Sequence, residues 1–266
     1  MFMINEFLFY VLVGFAAQIV DGALGMAFGL ISTAVLVGFG IPPAVASASV
    51  HTAEIATTGI SGLSHAMFKN IDYRLFRRLV MPGIIGAIVG SYVLTEIPVP
   101  IAKLLVAIYL IAMGGIILYR ALQGGNLFQV LKNFLSHRIH RRKLPSSEAK
   151  GLIPLGFAGG FFDATGGGGW GTIISSTLLA QGTTPHYTVG SVNLTEFLIA
   201  ITVSITFFFT IGLSHWQIIL GLVVGGAIAA PFAAYLVRKI QPRIILLLAG
   251  IVVIALAIET VIKLFL

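Results

Sequence analysis

The sequence predicts an all-α polytopic membrane protein of two homologous, inverted repeats, each a broken or re-entrant first helical unit followed by three transmembrane helices. Three observations predict it. Mean hydropathy is +1.03, with 58% hydrophobic and 9% charged residues, whereas an ordinary soluble domain carries about 25% charged residues. A shift of 142 positions, without a gap, lays Asp21 on Asp163, Glu54 on Glu196, Gly25 on Gly167 and Gly29 on Gly171. The same shift pairs Gly14 with Gly156, Pro43 with Pro185, Gly83 with Gly225 and Pro100 with Pro242. Finally, each half opens on an acid and glycines set between apolar pieces too short to cross a bilayer.

Residues 7–20 and 26–39 are apolar pieces of 14 residues each, separated by Asp21-Gly22-Ala23-Leu24-Gly25. At ~1.5 Å per helical residue, neither spans a ~30 Å hydrocarbon layer. Ile41-Pro42-Pro43 ends the unit, because proline discourages helix continuation. Residues 44–68 form a long apolar segment carrying His51, Glu54 and His65. After a basic loop, residues 80–95 and 101–122 are two spans joined by the turn Glu96-Ile97-Pro98-Val99-Pro100. The second half repeats the plan: pieces of 11 and 12 residues at 152–162 and 170–181, then segments 186–211, 218–237 and 244–266. The organisation expected is a transmembrane repeat over 1–122, a basic linker over 123–150 and a second repeat over 151–266.

Fourteen of the 16 Lys and Arg residues fall in three hydrophilic places: four in 69–78, seven in 120–150, and Arg238, Lys239 and Arg243. Basic clusters between apolar spans mark cytoplasmic loops. If each broken unit were one kinked crossing, the halves would be parallel and the last cluster would face outward. If each unit folds back, or crosses as two short helices, all three clusters lie inside, both termini lie outside and the repeats are inverted. The charge distribution favours inversion, an architecture in which discontinuous helices meet near the midplane. The net charge of +7 is therefore a topology signal and not a nucleic-acid surface. With no cysteine, disulfides, thiolate metal sites and thiol catalysis are excluded. No basic n-region or cleavage site opens the chain, so no signal peptide is expected.

Broken backbone at membrane depth is tolerated only where protein or a water-filled cavity covers it, and acids there are functional candidates. Half-helix N-termini after Gly22 and Gly25, and after Gly166, Gly167, Gly168 and Gly169, would attract a small anion with several acceptor oxygens. Trp170 could wall the cavity and Gln18 could face it. Close helix packing is the plainer role for these glycines. Asp21 and Asp163 fit either a ligand or proton role or capping of the half-helices that follow them. Glu54 and Glu196, inside long helical runs, are coupling or gating candidates, with interhelical hydrogen bonding as the alternative. Ser49, His51, Thr52 and Glu54, answered by Ser191, Asn193, Thr195 and Glu196, read as a polar substrate path. The His51/Glu54 spacing argues no metal, since Asn193 replaces the histidine in the second half. His65 is a second titratable candidate or a satisfied bundle histidine.

The two motifs, Asp21-Gly22-Ala23-Leu24-Gly25-Met26-Ala27-Phe28-Gly29 and Phe162-Asp163-Ala164-Thr165-Gly166-Gly167-Gly168-Gly169-Trp170-Gly171, resemble the sulfite exporter TauE/SafE family, and the likeness covers nearly the whole chain. The resemblance implies a bacterial inner-membrane permease for sulfur oxyanions and small organosulfonates such as sulfoacetate. It places Asp21, Gly25, Asp163, Gly166 to Gly169 and Trp170 at the translocation centre. Related sequences often continue the second motif with proline, where Thr172 stands here.

The expectation is thus a secondary transporter of a small sulfur-containing anion, working by alternating access between the halves, with Glu54 and Glu196 switching protonation. A passive anion channel is the alternative. An intramembrane enzyme lacks its usual parts, having neither a His-Glu-x-x-His motif nor a cysteine nucleophile. The partners expected are the anion and the lipid bilayer, with a homo-oligomer compatible and nucleic acid not. No cofactor is implied.

Overall fold

The computed structural model describes residues 2–24, 26–123, 148–212, 215–236 and 241–266. Ten α-helices and no β-strand occur among them. In order they are α1 (Phe2–Leu24), α2 (Phe28–Gly38), α3 (Pro43–Met67), α4 (Tyr73–Glu96), α5 (Val99–Gln123), α6 (Leu152–Gly166), α7 (Trp170–Ala180), α8 (Pro185–Ile211), α9 (Trp216–Leu236) and α10 (Pro242–Phe265). Five of them (α4, α5, α8, α9 and α10) are long and apolar enough to cross a membrane. Large apolar side chains such as Met81, Ile85, Phe209 and Leu248 are exposed on their outer faces. The chain is a multi-pass membrane protein.

Local chemistry sets the helix starts. Pro43, Pro185 and Pro242 each stand at the first helical position, where the missing N–H would have had no partner anyway. Asp72 caps α4, its carboxylate accepting from the N–H of Arg74 at 3.0 Å and of Leu75 at 3.2 Å.

Both broken units fold back on themselves. At the open end of the α6–α7 unit, the Lys150 N–H donates to Gln181 Oε1 at 2.9 Å, and Gln181 Nε2 donates to the Lys150 carbonyl at 3.3 Å. In the α1–α2 unit the rings of Phe9 and Phe39 lie 4.7 Å apart. Each unit is therefore a hairpin whose tip lies within the bundle. The tips fall later in the chain than the sequence suggested. Instead of stopping at residue 20, α1 stays helical through Asp21 and Gly22 to Leu24. Similarly, α6 runs past Asp163 to Gly166. One glycine costs only about 1 kcal/mol in a helix, too little to end it. The backbone turns where φ becomes positive: 113° at Ala27, and 73°, 135° and 125° at Gly167, Gly168 and Gly169.

The bundle is built from helix pairs. α1 lies on α9, α4 on α6, α3 on α8 and α5 on α10. Missing side chains let the first two pairs approach closely. A Cβ on Gly14 would stand 2.7 Å from Leu222 Cα, and one on Gly90 would stand 2.6 Å from the Phe161 carbonyl oxygen. Of the segment expected as the linker, residues 124–147 lie outside the described residues.

Candidate functional site

Each hairpin tip carries an aspartate in the last turn of its first helix, and that aspartate caps the helix beyond the tip. Asp163 Oδ1 accepts the Trp170 N–H, the first of α7, at 2.7 Å. Asp21 Oδ1 accepts the Phe28 N–H, the first of α2, at 3.3 Å. A glutamate lies near the second residue of each helix: Glu54 Oε1 is 2.8 Å from where a Cβ on Gly29 would stand, and Glu196 lines the cavity with Gly171. The N-termini of α2 and α7 therefore do not present the free donors that the sequence suggested. Asp21 and Asp163 already accept the first amide of each, with Glu54 and Glu196 close by, as orphan N–H groups and the helix dipole favour.

The two tips touch. A Cβ on Gly168 would stand 2.5 Å from Gly29 Cα, and one on Gly29 would stand 2.7 Å from Gly168 Cα. Thr33 donates to the Gly167 carbonyl at 2.5 Å and Tyr109 to the Gly168 carbonyl at 2.7 Å, so the carbonyls of the second tip are satisfied.

Behind this contact lies a closed polar knot. His51 is fully buried, and its Nε2 lies 3.0 Å from Asp163 Oδ2. Its Nδ1 lies 2.8 Å from the Ser47 carbonyl and 3.3 Å from Ser47 Oγ, whose own proton goes to the Ala164 carbonyl at 2.7 Å. Both neighbours of Nδ1 offer only lone pairs, so Nδ1 carries a hydrogen. The equivalent position in the second half, Asn193, donates instead to Ser61 Oγ at 2.8 Å, leaving Asp21 without an ionic partner of this kind.

A cavity of about 260 Å³ opens beside the tips, lined by Asp21, Glu54 and Glu196 together with Gln18, Thr172 and Asn193. Two polar atoms on its wall have no partner: Thr172 Oγ1 and Gln18 Oε1. Among known proteins, the model of the family described as "Sulfite exporter TauE/SafE" matches residues 10–260. The chain belongs to the sulfite exporter TauE/SafE family. A relative from Bacillus subtilis (strain 168), "Probable membrane transporter protein YtnM", is 41% identical over 249 residues, covering 92% of this chain and 79% of that protein. No solved structure matches. Membership places the chain among membrane transporters.

In this TauE/SafE member, the expected residues Gln18, Asp21, Gly22, Glu54, His65, Gly169, Asn193 and Glu196 line the cavity. Others do not. Trp170, expected as a wall, is fully buried between helices, with its Nε1–H donated to the Val192 carbonyl at 3.2 Å. His51 and Asp163 are sealed in the knot. Gly166, Gly167 and Gly168 pack against Tyr109, Thr33 and Gly29. Thr52 donates to the Ala48 carbonyl and has Ser204 Oγ 3.2 Å away, and Thr195 donates to the Ser191 carbonyl. Ser191 itself is tied to the Asp72 backbone. The expected polar path thus reduces to Glu54, Asn193 and Glu196. Gly25 lies outside the described residues. Sequence reasoning missed Thr57, Thr58, Ser61 and Thr172 on the cavity wall. The first three follow Glu54 at three, four and seven positions, one helical face that the spacing itself contained.

Proposed function

We propose that this protein is a secondary permease for a small sulfur-containing anion, such as sulfite or a short organosulfonate like sulfoacetate. The observation that carries this reading is the polar cavity set against two touching half-helix N-termini, with the Thr172 hydroxyl and the Gln18 carboxamide oxygen left unbonded inside it. Buried polar groups are rarely left without partners; the Thr172 hydroxyl would donate to an anionic guest, and the Gln18 amide would do so by turning its N–H groups inward. The family to which the chain belongs supports a sulfur oxyanion as that guest.

The halves are taken as inverted repeats that exchange access to the cavity. In support, helix starts recur at the same spacing: α2 and α7 begin at Phe28 and Trp170, and α3 and α8 at Pro43 and Pro185. The pairing of α1 with α9 is answered by that of α6 with α4. With both broken units as hairpins, and the 25-residue α3 taken as a sixth crossing beside the five apolar spans, each half has three crossings and all basic clusters fall on one face. The positive-inside rule makes that face cytoplasmic in a bacterial inner membrane, with the termini outside. An anion then leaves a negative-inside cell with the potential, at about 2.3 kcal/mol per charge per 100 mV.

The test is flux in liposomes. Sulfite and two-carbon sulfonates on one side should drive saturable counterflow of labelled sulfite from the other. Ohmic current without counterflow would show a channel instead, and inert liposomes with folded protein would remove the anion reading.

A further inference from the structure

We propose, resting on the anion reading above, that Glu54 and Glu196 are tethered stand-ins for the transported anion. They fill the Gly29 and Gly171 amides when the cavity is empty, and the anion binds by displacing them as they take up protons.

The geometry supports this in three steps. First, a glutamate from a neighbouring helix sits beside the second residue of each half-helix: Glu54 Oε1 lies 2.8 Å from where a Cβ on Gly29 would stand, and Glu196 lines the cavity together with Gly171. A sulfonate or sulfite group presents paired oxygens much as a carboxylate does, so guest and glutamate compete for one type of donor. Second, an anion cannot sit beside ionised glutamates without strong like-charge repulsion. Facing Glu54 are Asp21 from α1, Asp163 from α6, Glu196 from α8 and Tyr109 from α5, with His65 on its own helix; among the described residues no lysine or arginine lines the cavity. Glu196 faces Asp21, Asp163 and Glu54. Proton uptake is the remedy within reach. Each displaced carboxylate takes up one proton from the bulk solution, by way of the cavity, to become a neutral acid, so anion and proton bind together.

Third, the cavity holds polar atoms prepared for a guest and not for the glutamates. The Thr172 hydroxyl, on a residue 1% exposed in the first turn of α7, and Gln18 Oε1, on a residue 8% exposed, have no partner. The Thr172 hydroxyl would donate to the anion, and Gln18 would turn its amide N–H groups to it. Asp163 is excluded from the exchange, because Trp170 and His51 hold both its oxygens.

Calorimetric titration of the purified full-length protein with sulfate and with ethanesulfonate, neither of which titrates near neutrality, tests the proposal. Measurements at about pH 6 and about pH 8, in buffers of different ionisation enthalpy, count the protons taken up. Wild type should absorb protons on binding. Its affinity should be greater at the lower pH and fall by up to about tenfold per pH unit for each proton linked. Glu54→Gln/Glu196→Gln should bind without proton uptake and with one affinity at both pH values. Each single variant should lower the proton count, and Glu54→Asp/Glu196→Asp, which keeps both charges, should retain the pH dependence. Wild-type binding without proton uptake, or undiminished uptake in the glutamine variants, would overturn the proposal and leave the anion reading intact. Binding of neither anion to wild type or the glutamine double variant would overturn both.

Discussion

Asp21 and Asp163 hold the same post in their hairpins and live in different company. Asp163 is bonded by Trp170 and by buried His51, whereas among the described residues Asp21 accepts from the Phe28 N–H and faces the cavity. Breaking a buried pair from one side leaves a charge uncompensated. His51→Ala should therefore cost about 3–5 kcal/mol of stability, seen as a lowered melting temperature in detergent. Asp163→Asn added to it should recover part of the loss, and strict additivity would contradict the coupling. Ala27 carries a side chain at φ 113°, so Ala27→Gly should stabilise by roughly 0.5–1 kcal/mol. A lower melting temperature would show that the strain is absent. Thr172→Val removes one free donor from the cavity and should weaken anion binding about three- to tenfold, the worth of a hydrogen bond of roughly 0.5–1.5 kcal/mol, with stability unchanged. Unaltered affinity would take Thr172 out of the site.

At the level of elements, the tips of the two hairpins depend on backbone-to-backbone contact. A methyl on Gly29 would press on Gly168 Cα at 2.7 Å and on Glu54 Oε1 at 2.8 Å. Overpacking of this kind costs about 1–3 kcal/mol, so Gly29→Ala should lower the melting temperature and impair flux. Gly115, in the middle of α5, meets nothing within 4 Å, and Gly115→Ala should be neutral or slightly stabilising. Equal damage from both would contradict the contact. The long helices were legible in the sequence, because apolar length and flanking prolines mark them without tertiary help. The hairpin tips were not placed correctly. Nothing in Asp21 or Gly22 forces a turn, and the positive φ at Ala27, a residue with a side chain, carries no signal in the local sequence.

Across the whole molecule, the duplicated acids and glycines pointed to one neighbourhood, and a single cavity gathers Asp21, Glu54, Asn193 and Glu196. What the sequence could not show was that carboxyl groups fill the helix N-termini, or that His51 serves Asp163 from 112 positions away. Such pairings are set by how α3 lies on α6 and α8, and local spacing carries no record of them. The chain contains no cysteine, so an introduced thiol is a clean reporter of the cavity. The most direct test is the rate at which a maleimide modifies Ser61→Cys, on the cavity wall, and Ile60→Cys, on the outer face, with and without ethanesulfonate or sulfate. An anion held between the two hairpin tips should slow modification at position 61 and leave position 60 unchanged. Equal rates at position 61 with and without anion, in protein that still carries flux, would place the guest elsewhere and contradict the central claim.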